Sequence, residues 1–343
     1  MTAHADEPAT VPRPWLVADI GGTNARFGWV ADEPDARQPA VVTHVQTLQV
    51  ADHADPTAAA SFYLANLARS LGAAYVPPRA AAWGMATAVG DDRVALTNAG
   101  WSFSRRAAQR DLGLEVLLVL NDFEALALSL PRLGALQTRP IGMPAGVGGS
   151  RRGGALAVIG PGTGLGVAGL VISAHGWIAV PGEGGHASLA AADDFEAALF
   201  AAVRHEHNHV SAERLLSGIG LPVLHRAVAA VTGEAKPNLA AEAIVERGLA
   251  GDRLAARTLD AFCALLGSFA GNVALSFGAR GGVYIGGGIV PRLGERFFES
   301  QFRERFEAKG RLRPYLQAIP TALITDALAA LAGAALALEQ HGR

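Results

Sequence analysis

The sequence predicts an α/β protein built of two related lobes, and three observations lead to this prediction. The chain has 343 residues, more than one ordinary hydrophobic core accommodates. Apolar strand-like runs alternate with helix-like segments along its whole length. The pattern of an apolar run, a glycine-rich turn and a second apolar run occurs twice, with Thr23 and Thr163 in the same place in each copy.

The amino-terminal part of the chain alternates strands and helices. Residues 15–30 show the first copy of the repeated pattern, which predicts a strand, a tight turn and a strand. The segments that follow are predicted, in order, as a strand at 40–50, a helix at 56–72, strands within 79–92 and 92–104, a short helix at 105–113, a buried strand at 116–122 and a helix at 123–133.

The carboxy-terminal part begins with a surface loop at 137–154 that is rich in Gly, Pro and Arg. Residues 155–173 show the second copy of the strand, turn and strand pattern. The remaining predictions are helices from about 193 to 280, a strand at 281–292, an amphipathic helix at 293–306, a strand at 318–325 and a terminal helix at 326–340.

Composition and charge exclude several classes of partner. The formal net charge of −2 gives no electrostatic reason to expect nucleic acid or an anionic membrane surface. The single cysteine, Cys263, excludes a disulfide framework and a zinc site built on several thiolates, and it fits a reducing cytoplasm. Residues 1–14 lack the apolar core of a secretory signal and are expected to form a disordered lead-in. No apolar stretch is expected to span a bilayer; the one at 326–340 is too short and predicts a buried or docked helix.

The two glycine turns have the chemistry of a phosphate site. A glycine-rich turn lets backbone N–H groups converge on an anion, and a neighbouring threonine adds a hydroxyl donor. Asp19 ends the apolar run before the first turn, where a carboxylate would repel phosphates unless a cation such as Mg²⁺ lay between them. Asp19, Thr23 and the turn around Thr163 therefore predict a clamp for a magnesium–nucleotide complex.

The two glycine turns also allow other interpretations. The glycines of 160–166 loosely match a dinucleotide-binding fingerprint, but that fingerprint needs a helix next and the β-like VAGLVIS follows. A Walker A loop is excluded because no Gly-Lys-Ser/Thr follows either turn. Plain hairpin turns without a ligand remain an alternative.

Polar residues interrupt the apolar strand at 116–122. Asn121 and Asp122 stand at its carboxyl end, where ligand sites form in open α/β sheets, and a carboxylate there can take a proton from a substrate hydroxyl. The alternative is that Asp122 caps the helix that follows. Glu213 has the same alternative, because Ser211 can cap a helix whose positive end Glu213 would favour.

The PGEGGH segment at 181–186 points to a ligand more directly. Glu183 and His186 stand among three glycines, and planar polar side chains of this kind bind adjacent sugar hydroxyls, although a lone histidine is more often structural. The HEHNH tract at 205–209 resembles a metal-binding tract but has no supporting cysteine, so a solvated histidine run is favoured.

Taken together, these motifs resemble one family, the bacterial glucokinases, which share the fold of sugar kinases, actin and heat-shock ATPases. The resemblance covers the chain from about residue 15 to its end. The motifs that carry it, in order, are DIGGTNAR (19–26), NDFEA (121–125), GPGTGLGVA (160–168), PGEGGH (181–186), SAERLLSG (211–218) and GGGIVPR (286–292).

The resemblance implies a two-lobed actin-like ATPase fold, related to ribonuclease H, with a cleft between the lobes. Its small lobe would comprise 15–131 plus 323–343, with the terminal helix returning to it, and its large lobe 132–322. It also implies a cytoplasmic, homodimeric enzyme that phosphorylates D-glucose at O6 with ATP and feeds glycolysis.

The resemblance further implies roles for individual residues. Asp122 would be the general base that takes the proton from O6. The residues that would hold the sugar are Asn121, Asp122, Glu183, His186 and Glu213. The residues that would bind ATP are Asp19, Gly21, Gly22, Thr23, Asn24, Arg26, Gly162, Thr163, Gly164, Gly286, Gly287 and Gly288, with Asp19 organising Mg²⁺ through water.

The sequence departs from the family in its amino-terminal extension and in its terminal helix, DALAALAGAA, which lacks the usual glycine- and proline-marked entry. A related group of sugar kinases with a cysteine-rich zinc motif is excluded by the single cysteine. Three alternatives remain: a kinase for fructose, mannose or an N-acetylated amino sugar; a sugar-sensing regulator, for which the lead-in is too short to hold a helix-turn-helix; and an actin-like ATPase that assembles. ADP release measured over a panel of hexoses distinguishes them.

Overall fold

The computed structural model describes residues 11–31, 39–87, 90, 92–96, 100–142, 154–235 and 238–341. Residues 1–10 of the predicted lead-in and 143–153 of the predicted loop lie outside the described residues. The chain divides into two compact units: the first comprises Met1–Leu133, Ser173–Ala179 and Ala327–Arg343, and the second comprises Gly134–Ile172 and Val180–Asp326.

The elements are numbered in chain order. The strands are β1 (Trp15–Ile20), β2 (Asn24–Val30), β3 (Thr43–Gln49), β4 (Ala80–Met85), β5 (Arg93–Ala95), β6 (Ser102–Ser104), β7 (Val116–Asn121), β8 (Thr138–Pro140), β9 (Leu156–Pro161), β10 (Leu165–Ser173), β11 (Gly176–Gly182), β12 (Gly282–Ile285) and β13 (Thr321–Ile324). The helices are α1 (Pro56–Leu71), α2 (Arg105–Asp111), α3 (Asp122–Ser129), α4 (Asp194–Arg204), α5 (Ala212–Leu215), α6 (Leu221–Thr232), α7 (Ala241–Leu249), α8 (Arg253–Phe277), α9 (Ile289–Arg292), α10 (Glu295–Phe298), α11 (Phe302–Glu307), α12 (Arg313–Gln317) and α13 (Ala329–Gln340).

The two main sheets repeat one arrangement. Their strand orders are β3-β2-β1-β4-β7 and β11-β10-β9-β12-β13-β8, and β5 pairs with β6 separately. In the first sheet β1 is antiparallel to β2 and parallel to β4, which is parallel to β7. In the second sheet β9 is antiparallel to β10 and parallel to β12, which is parallel to β13. The internal echo predicted from the glycine turns is thus confirmed as a repeated strand topology.

The central strand β1 is buried on both faces of the first sheet. Because side chains alternate along a strand, Leu16, Ala18 and Ile20 enter one cluster, while Trp15 and Val17 enter the other. The second cluster also contains the apolar face of α13, so the terminal helix packs within the first unit.

A glycine sets how closely α13 packs against α3. A Cβ atom at Gly333 would collide with the carbonyl oxygen of Ala125. The alanine-rich terminal helix therefore uses Gly333 to approach the backbone of α3, the helix that begins at Asp122.

Residues 173–179 lie within 132–322, the range that the resemblance assigns to the large lobe. They group with the first unit. The reason is a pair of hydrogen bonds to the terminal helix: Trp177 N–H donates to Gln340 Oε1 at 2.7 Å, and Gln340 Nε2 donates to Trp177 O at 2.9 Å.

The last residues of the predicted disordered lead-in are packed against the first unit. Arg13 is buried, its guanidinium lies 5.0 Å from the ring centroid of Trp15, and its Nη2 is 3.8 Å from Glu339 Oε1. Trp15 Nε1 donates to Pro12 O at 2.8 Å. The expectation of disorder is therefore wrong for 11–14, where an aromatic ring and a carboxylate hold the chain.

The predicted continuous helix at 293–306 is also wrong. The chain forms α10 and α11 with a break between them, and Gly294 has a φ of 55° before α10. In one continuous helix, Phe297 and Phe302 would point about 140° apart. The break lets both rings enter the core, where each is fully buried. The predicted strand at 281–292 likewise ends early, at Ile285, and β11 was not predicted.

Helix α8 is, by length and composition, the one helix of the described residues that could cross a membrane. It has 25 residues, and 83% of its apolar window is buried inside the protein. The expectation that no apolar stretch is long enough overlooked this helix. Its apolar side chains form the centre of the core of the second unit, together with those of α6 and α7.

Candidate active site

The first glycine turn joins β1 to β2 in the first unit. Gly21 N–H donates to Asn24 O at 2.9 Å, which closes the turn. The end of β3 supports it from the side, since Val50 N–H donates to Thr23 O at 2.9 Å and Gln49 Nε2 donates to Asn24 Oδ1 at 2.8 Å. Thr23 is exposed at the tip, where its hydroxyl and backbone can meet a ligand.

Asp19 lies beside this turn and forms an ion pair across the hairpin. It is paired in register with Arg26 on β2, whose Nη1 is 3.0 Å from Asp19 Oδ2. Burial raises the pKa of the Asp19 carboxyl, and the charge of Arg26 opposes that rise. Among the described residues, no group of three or more His, Cys, Asp or Glu is placed to hold a metal. A cation at Asp19 would therefore need water and substrate oxygens as its other ligands.

The carboxyl end of β7 carries the predicted base. Asn121, and not Asp122, caps helix α3: its Oδ1 accepts from Phe123 N–H at 2.9 Å, and its Nδ2 donates to Thr87 O at 3.1 Å. Glu124 Oε2 completes a capping box by accepting from Asn121 N–H at 3.3 Å. Burial raises the pKa of the Glu124 carboxyl.

Asp122 is therefore the first residue of α3 and is half-buried. Its Oδ1 accepts from Phe123 N–H at 2.9 Å. Gly84 on β4 lets α3 come close, because a Cβ there would lie 3.0 Å from Ala125 Cβ and 3.8 Å from Asp122 Cα. Asn121 occupies the cap position of α3, although both side chains accept from Phe123 N–H, so the alternative that Asp122 serves the start of the helix stays open.

The register of the first sheet brings the turn and Asp122 to one edge. Ile20, Met85 and Asn121 are paired side by side at the ends of the three parallel strands β1, β4 and β7. Two strand spacings separate β1 from β7, about 10 Å. The first turn and the carboxylate of the following helix thus share the edge where α/β sheets bind ligands.

The second glycine turn joins β9 to β10 in the second unit. Gly162 N–H donates to Gly164 O at 2.9 Å and closes the turn. The segment around α5 holds it: Gly218 N–H donates to Gly162 O at 2.8 Å, and Leu165 N–H donates to Glu213 Oε2 at 2.9 Å. Ser211 caps α5, as the sequence suggests, but Glu213 reaches across to the turn and not to its own helix.

Three of the predicted sugar ligands meet in the second unit. His186 Nε2 lies 4.0 Å from Glu183 Oε2 and 3.9 Å from Glu213 Oε1. Gly185 packs against β10 so closely that a Cβ would strike Leu165 O. A polar pocket of about 310 Å³ opens here, lined by His186, Glu206, His207, Asn208, His209, Ser211, Glu213, Arg214 and Ile219.

The histidine-rich tract forms one wall of this pocket. Most of residues 205–209 are exposed, and His207 is half-buried. His209 Nε2 lies 2.9 Å from Ser188 Oγ, which connects the tract to the segment that follows His186. The tract therefore contributes to the pocket as well as facing solvent.

The glycines after β12 lie beside the second turn. Gly286 N–H donates to Ile159 O at 2.8 Å. Gly287 has a φ of 77°, and a Cβ there would strike the carbonyl oxygen of Pro161, the residue before the turn. Gly162–Gly164 and Gly286–Gly288 thus lie at the same end of the parallel strands β9 and β12.

Sequence reasoning missed the contacts that organise these residues. The Asn121-x-x-Glu124 spacing is a capping-box pattern and could have identified the cap. The bond from Leu165 N–H to Glu213 has no comparable signal, because it involves a backbone group 48 positions away in the chain. Nothing local marks Arg214 or His209 as pocket residues.

Comparison with known proteins gives a consistent result. The chain matches the family model described as Glucokinase over residues 16–341. It is 48% identical over 335 residues to a glucokinase of Chromobacterium violaceum, and the alignment covers 96% of this chain and 91% of that relative. It is 49% identical over 332 residues to a glucokinase of Aromatoleum aromaticum, and the alignment covers 96% of this chain and 95% of that relative.

Comparison with solved structures gives the same result. The crystal structure of a glucokinase from an Antarctic psychrotroph has a TM-score of 0.85 to this chain at 39% identity, covering 95% of this chain and 98% of that one. The likeness confirms the predicted fold class, the α/β actin-like ATPase fold of sugar kinases.

Proposed function

The chain belongs to the glucokinase family, and from this premise we propose that Asp122 is the general base of its reaction. The reaction is the ATP-dependent phosphorylation of D-glucose at O6, giving glucose 6-phosphate and ADP. The observation that supports Asp122 is its position at the edge of the first sheet that also carries the first glycine turn.

The predicted sugar ligands form the second part of the proposal. Asn121, Glu183, His186 and Glu213 would bind the remaining hydroxyls of glucose. Support comes from the second unit, where Glu183, His186 and Glu213 come together and two of them line the polar pocket. Carboxylates and an imidazole can accept and donate hydrogen bonds to neighbouring hydroxyls.

The glycine segments would bind ATP. Residues Asp19–Arg26 would hold phosphates at the first turn, Gly162–Gly164 would do so at the second, and Gly286–Gly288 would let adenosine approach the backbone. The open tip at Thr23 and the close packing of Gly287 on Pro161 support these roles.

Asp19 is the residue that would hold Mg²⁺, through water. Magnesium usually keeps several waters and takes one or two protein carboxylates plus substrate phosphates. A single carboxylate beside a phosphate turn, with one oxygen paired to Arg26, fits that ligand set. When bound, the ion would neutralise charge on the phosphates.

Phosphoryl transfer then requires little covalent participation by the protein. Asp122 accepts the O6 proton as O6 attacks the γ-phosphorus in line, a new O–P bond forms, and the bond to the β-phosphate oxygen breaks to release ADP. The backbone N–H groups of the turns stabilise the charge that builds up on the phosphate oxygens.

The wider setting is part of the same proposal. We propose that the protein works in the cytoplasm as a homodimer and supplies glycolysis, with glucose and ATP as its partners and neither nucleic acid nor membrane. The lobe limits, 15–131 plus 323–343 and 132–322, remain proposals about domain boundaries.

Asp122→Asn tests the assignment of the base. The substitution keeps the size of the side chain but removes the proton acceptor, so kcat should fall by about 10²–10⁴-fold. The glucose Kd, measured by titration calorimetry, should change by only a few fold. Glu183→Gln is the matched control, and it should raise the KM for glucose more than it lowers kcat. A kcat of Asp122→Asn close to that of the unmodified enzyme would contradict the proposal.

A further inference from the structure

The carboxylate of Glu213 is divided between two neighbours of different function. Oε2 accepts the N–H of Leu165 at 2.9 Å, and Oε1 lies 3.9 Å from Nε2 of His186. The side chain is 23% exposed, so one oxygen is committed to the protein while the other faces the pocket. Glu213 thus connects the proposed sugar ligands to a backbone group of β10.

That backbone group belongs to the second glycine turn. Leu165 directly follows Gly164, and the same turn is bonded to the segment after α5 through Gly218 N–H and Gly162 O at 2.8 Å. The turn and the helix that carries Glu213 are therefore held together at two points. A shift of Glu213 would move the turn that is proposed to bind phosphate.

The glycine at 164 makes this contact possible. A Cβ added there would lie 2.5 Å from Glu213 Oε2, well inside van der Waals contact. Any side chain at this position would push the carboxylate away from Leu165. The absence of a side chain at Gly164 therefore leaves space for the Glu213 carboxylate. It would also allow a phosphate to approach the backbone.

We propose that Glu213 couples the binding of glucose to the binding of ATP. A sugar hydroxyl bonded to Oε1 restrains the carboxylate, which strengthens the existing bond between its Oε2 and Leu165 N–H and orders the second turn for the phosphates. By thermodynamic reciprocity, ATP raises the affinity for glucose by the same factor. Toward ATP, Glu213 is a positioning residue that acts through Leu165. The inference rests on the proposed role of Glu213 in the sugar site.

Glu183 provides a matched comparison. It belongs to the same proposed sugar set and lies 4.0 Å from His186, but its side chain is 76% exposed and faces solvent and His186. Removing the Glu183 side chain should weaken the binding of glucose without disturbing the second turn. The two glutamates thus separate sugar affinity from coupling.

The test is a titration of the full-length protein with AMPPNP, a non-hydrolysable ATP analogue, with Mg²⁺, in the absence and presence of saturating glucose. In the unmodified protein, glucose should lower the Kd of AMPPNP by about tenfold. Glu213→Ala should reduce that ratio to within about twofold of one. Glu183→Ala should raise the Kd of glucose and keep the ratio of the unmodified protein.

Gly164→Ala approaches the same contact from the turn and removes no sugar ligand. It should reduce the ratio of the AMPPNP Kd values without and with glucose, as Glu213→Ala does, while glucose alone still binds. Gly164→Ala is therefore the deciding variant if Glu213→Ala binds glucose too weakly to be saturated. Should Gly164→Ala fail to fold, Glu213→Asp, which is too short to reach both partners, takes its place and should show the same loss.

A ratio near one in the unmodified protein, or a ratio retained in Glu213→Ala, Gly164→Ala or Glu213→Asp, would overturn the coupling while leaving glucose phosphorylation intact. Absence of glucose binding and phosphorylation by the unmodified protein would instead refute the proposed function. The two failures are therefore distinguishable.

Discussion

The glycine turn between β1 and β2 and the turn between β9 and β10 occupy the same place in two sheets of matching strand order. The first is supported by its own sheet, through Gly21 N–H to Asn24 O and Val50 N–H to Thr23 O, each at 2.9 Å. The second is supported by a segment from outside its sheet, through Glu213 and Gly218.

This difference indicates that the two glycine turns have different tasks, although the repeated pattern makes them look alike. The first turn has its own charged pair, Asp19 and Arg26, and its shape depends on its neighbours in the first sheet. The second turn has no such pair within its hairpin among the described residues, and its shape depends on the segment that carries a proposed sugar ligand. Under the proposals above, the first turn would hold a cation and phosphates, and the second would respond to the sugar.

Gly287→Ala should have the largest effect on this comparison. The substitution forces a side chain into a φ of 77° and against Pro161 O, immediately before the second turn. We expect a loss of about 2–4 kcal/mol in the free energy of unfolding, measured with urea, together with weaker ATP binding.

The neighbouring Gly288→Ala is the control. Among the described residues, no heavy atom lies within 4 Å of a Cβ built there, so its stability should match that of the unmodified protein. Equal stability of the two variants would show that the second turn does not depend on the close approach of Gly287.

Arg26→Gln should change the pH dependence of activity. Burial already raises the pKa of Asp19, and Arg26 opposes that rise, so removing the guanidinium should raise the pKa further. The ionised carboxylate that the proposed Mg²⁺ site requires is then lost at a higher pH. The acidic limb of kcat/KM for ATP should therefore move to higher pH, and an unmoved limb would show that Asp19 does not act in its charged form.

Asn24→Ala should have the smallest effect. It removes the exposed bond between Asn24 Oδ1 and Gln49 Nε2, whereas the backbone closure of the first turn remains. We expect a change of about 0.5–1 kcal/mol in the free energy of unfolding. A much larger loss would mean that the first turn depends on side chains as heavily as the second.

Local patterns were enough to predict the frame of the molecule. An apolar run, a glycine turn and an apolar run specify a hairpin from neighbouring residues alone, and both copies form it. The segment 293–306 misled because its apolar spacing suits one helix, while the core requires Phe297 and Phe302 to point the same way. Such a break is a tertiary effect that local spacing does not contain.

The candidate site shows the same limit. Residue types and motif order identified Glu183, His186 and Glu213, and the structure brings them together. The sequence left open whether Asp122 caps the helix, whereas Asn121 occupies the cap position, because both side chains suit the role and only the backbone decides. The link from Glu213 to Leu165 depends on a backbone N–H, which every residue except proline possesses.

A crystal structure with glucose and AMPPNP bound tests the central claim most directly. The assignment of Asp122 as the base predicts one of its carboxylate oxygens at about 2.6–3.2 Å from O6 of the sugar, with O6 facing the γ-phosphate. A complex in which O6 is bonded to another side chain, while Asp122 points away from the sugar, would contradict it.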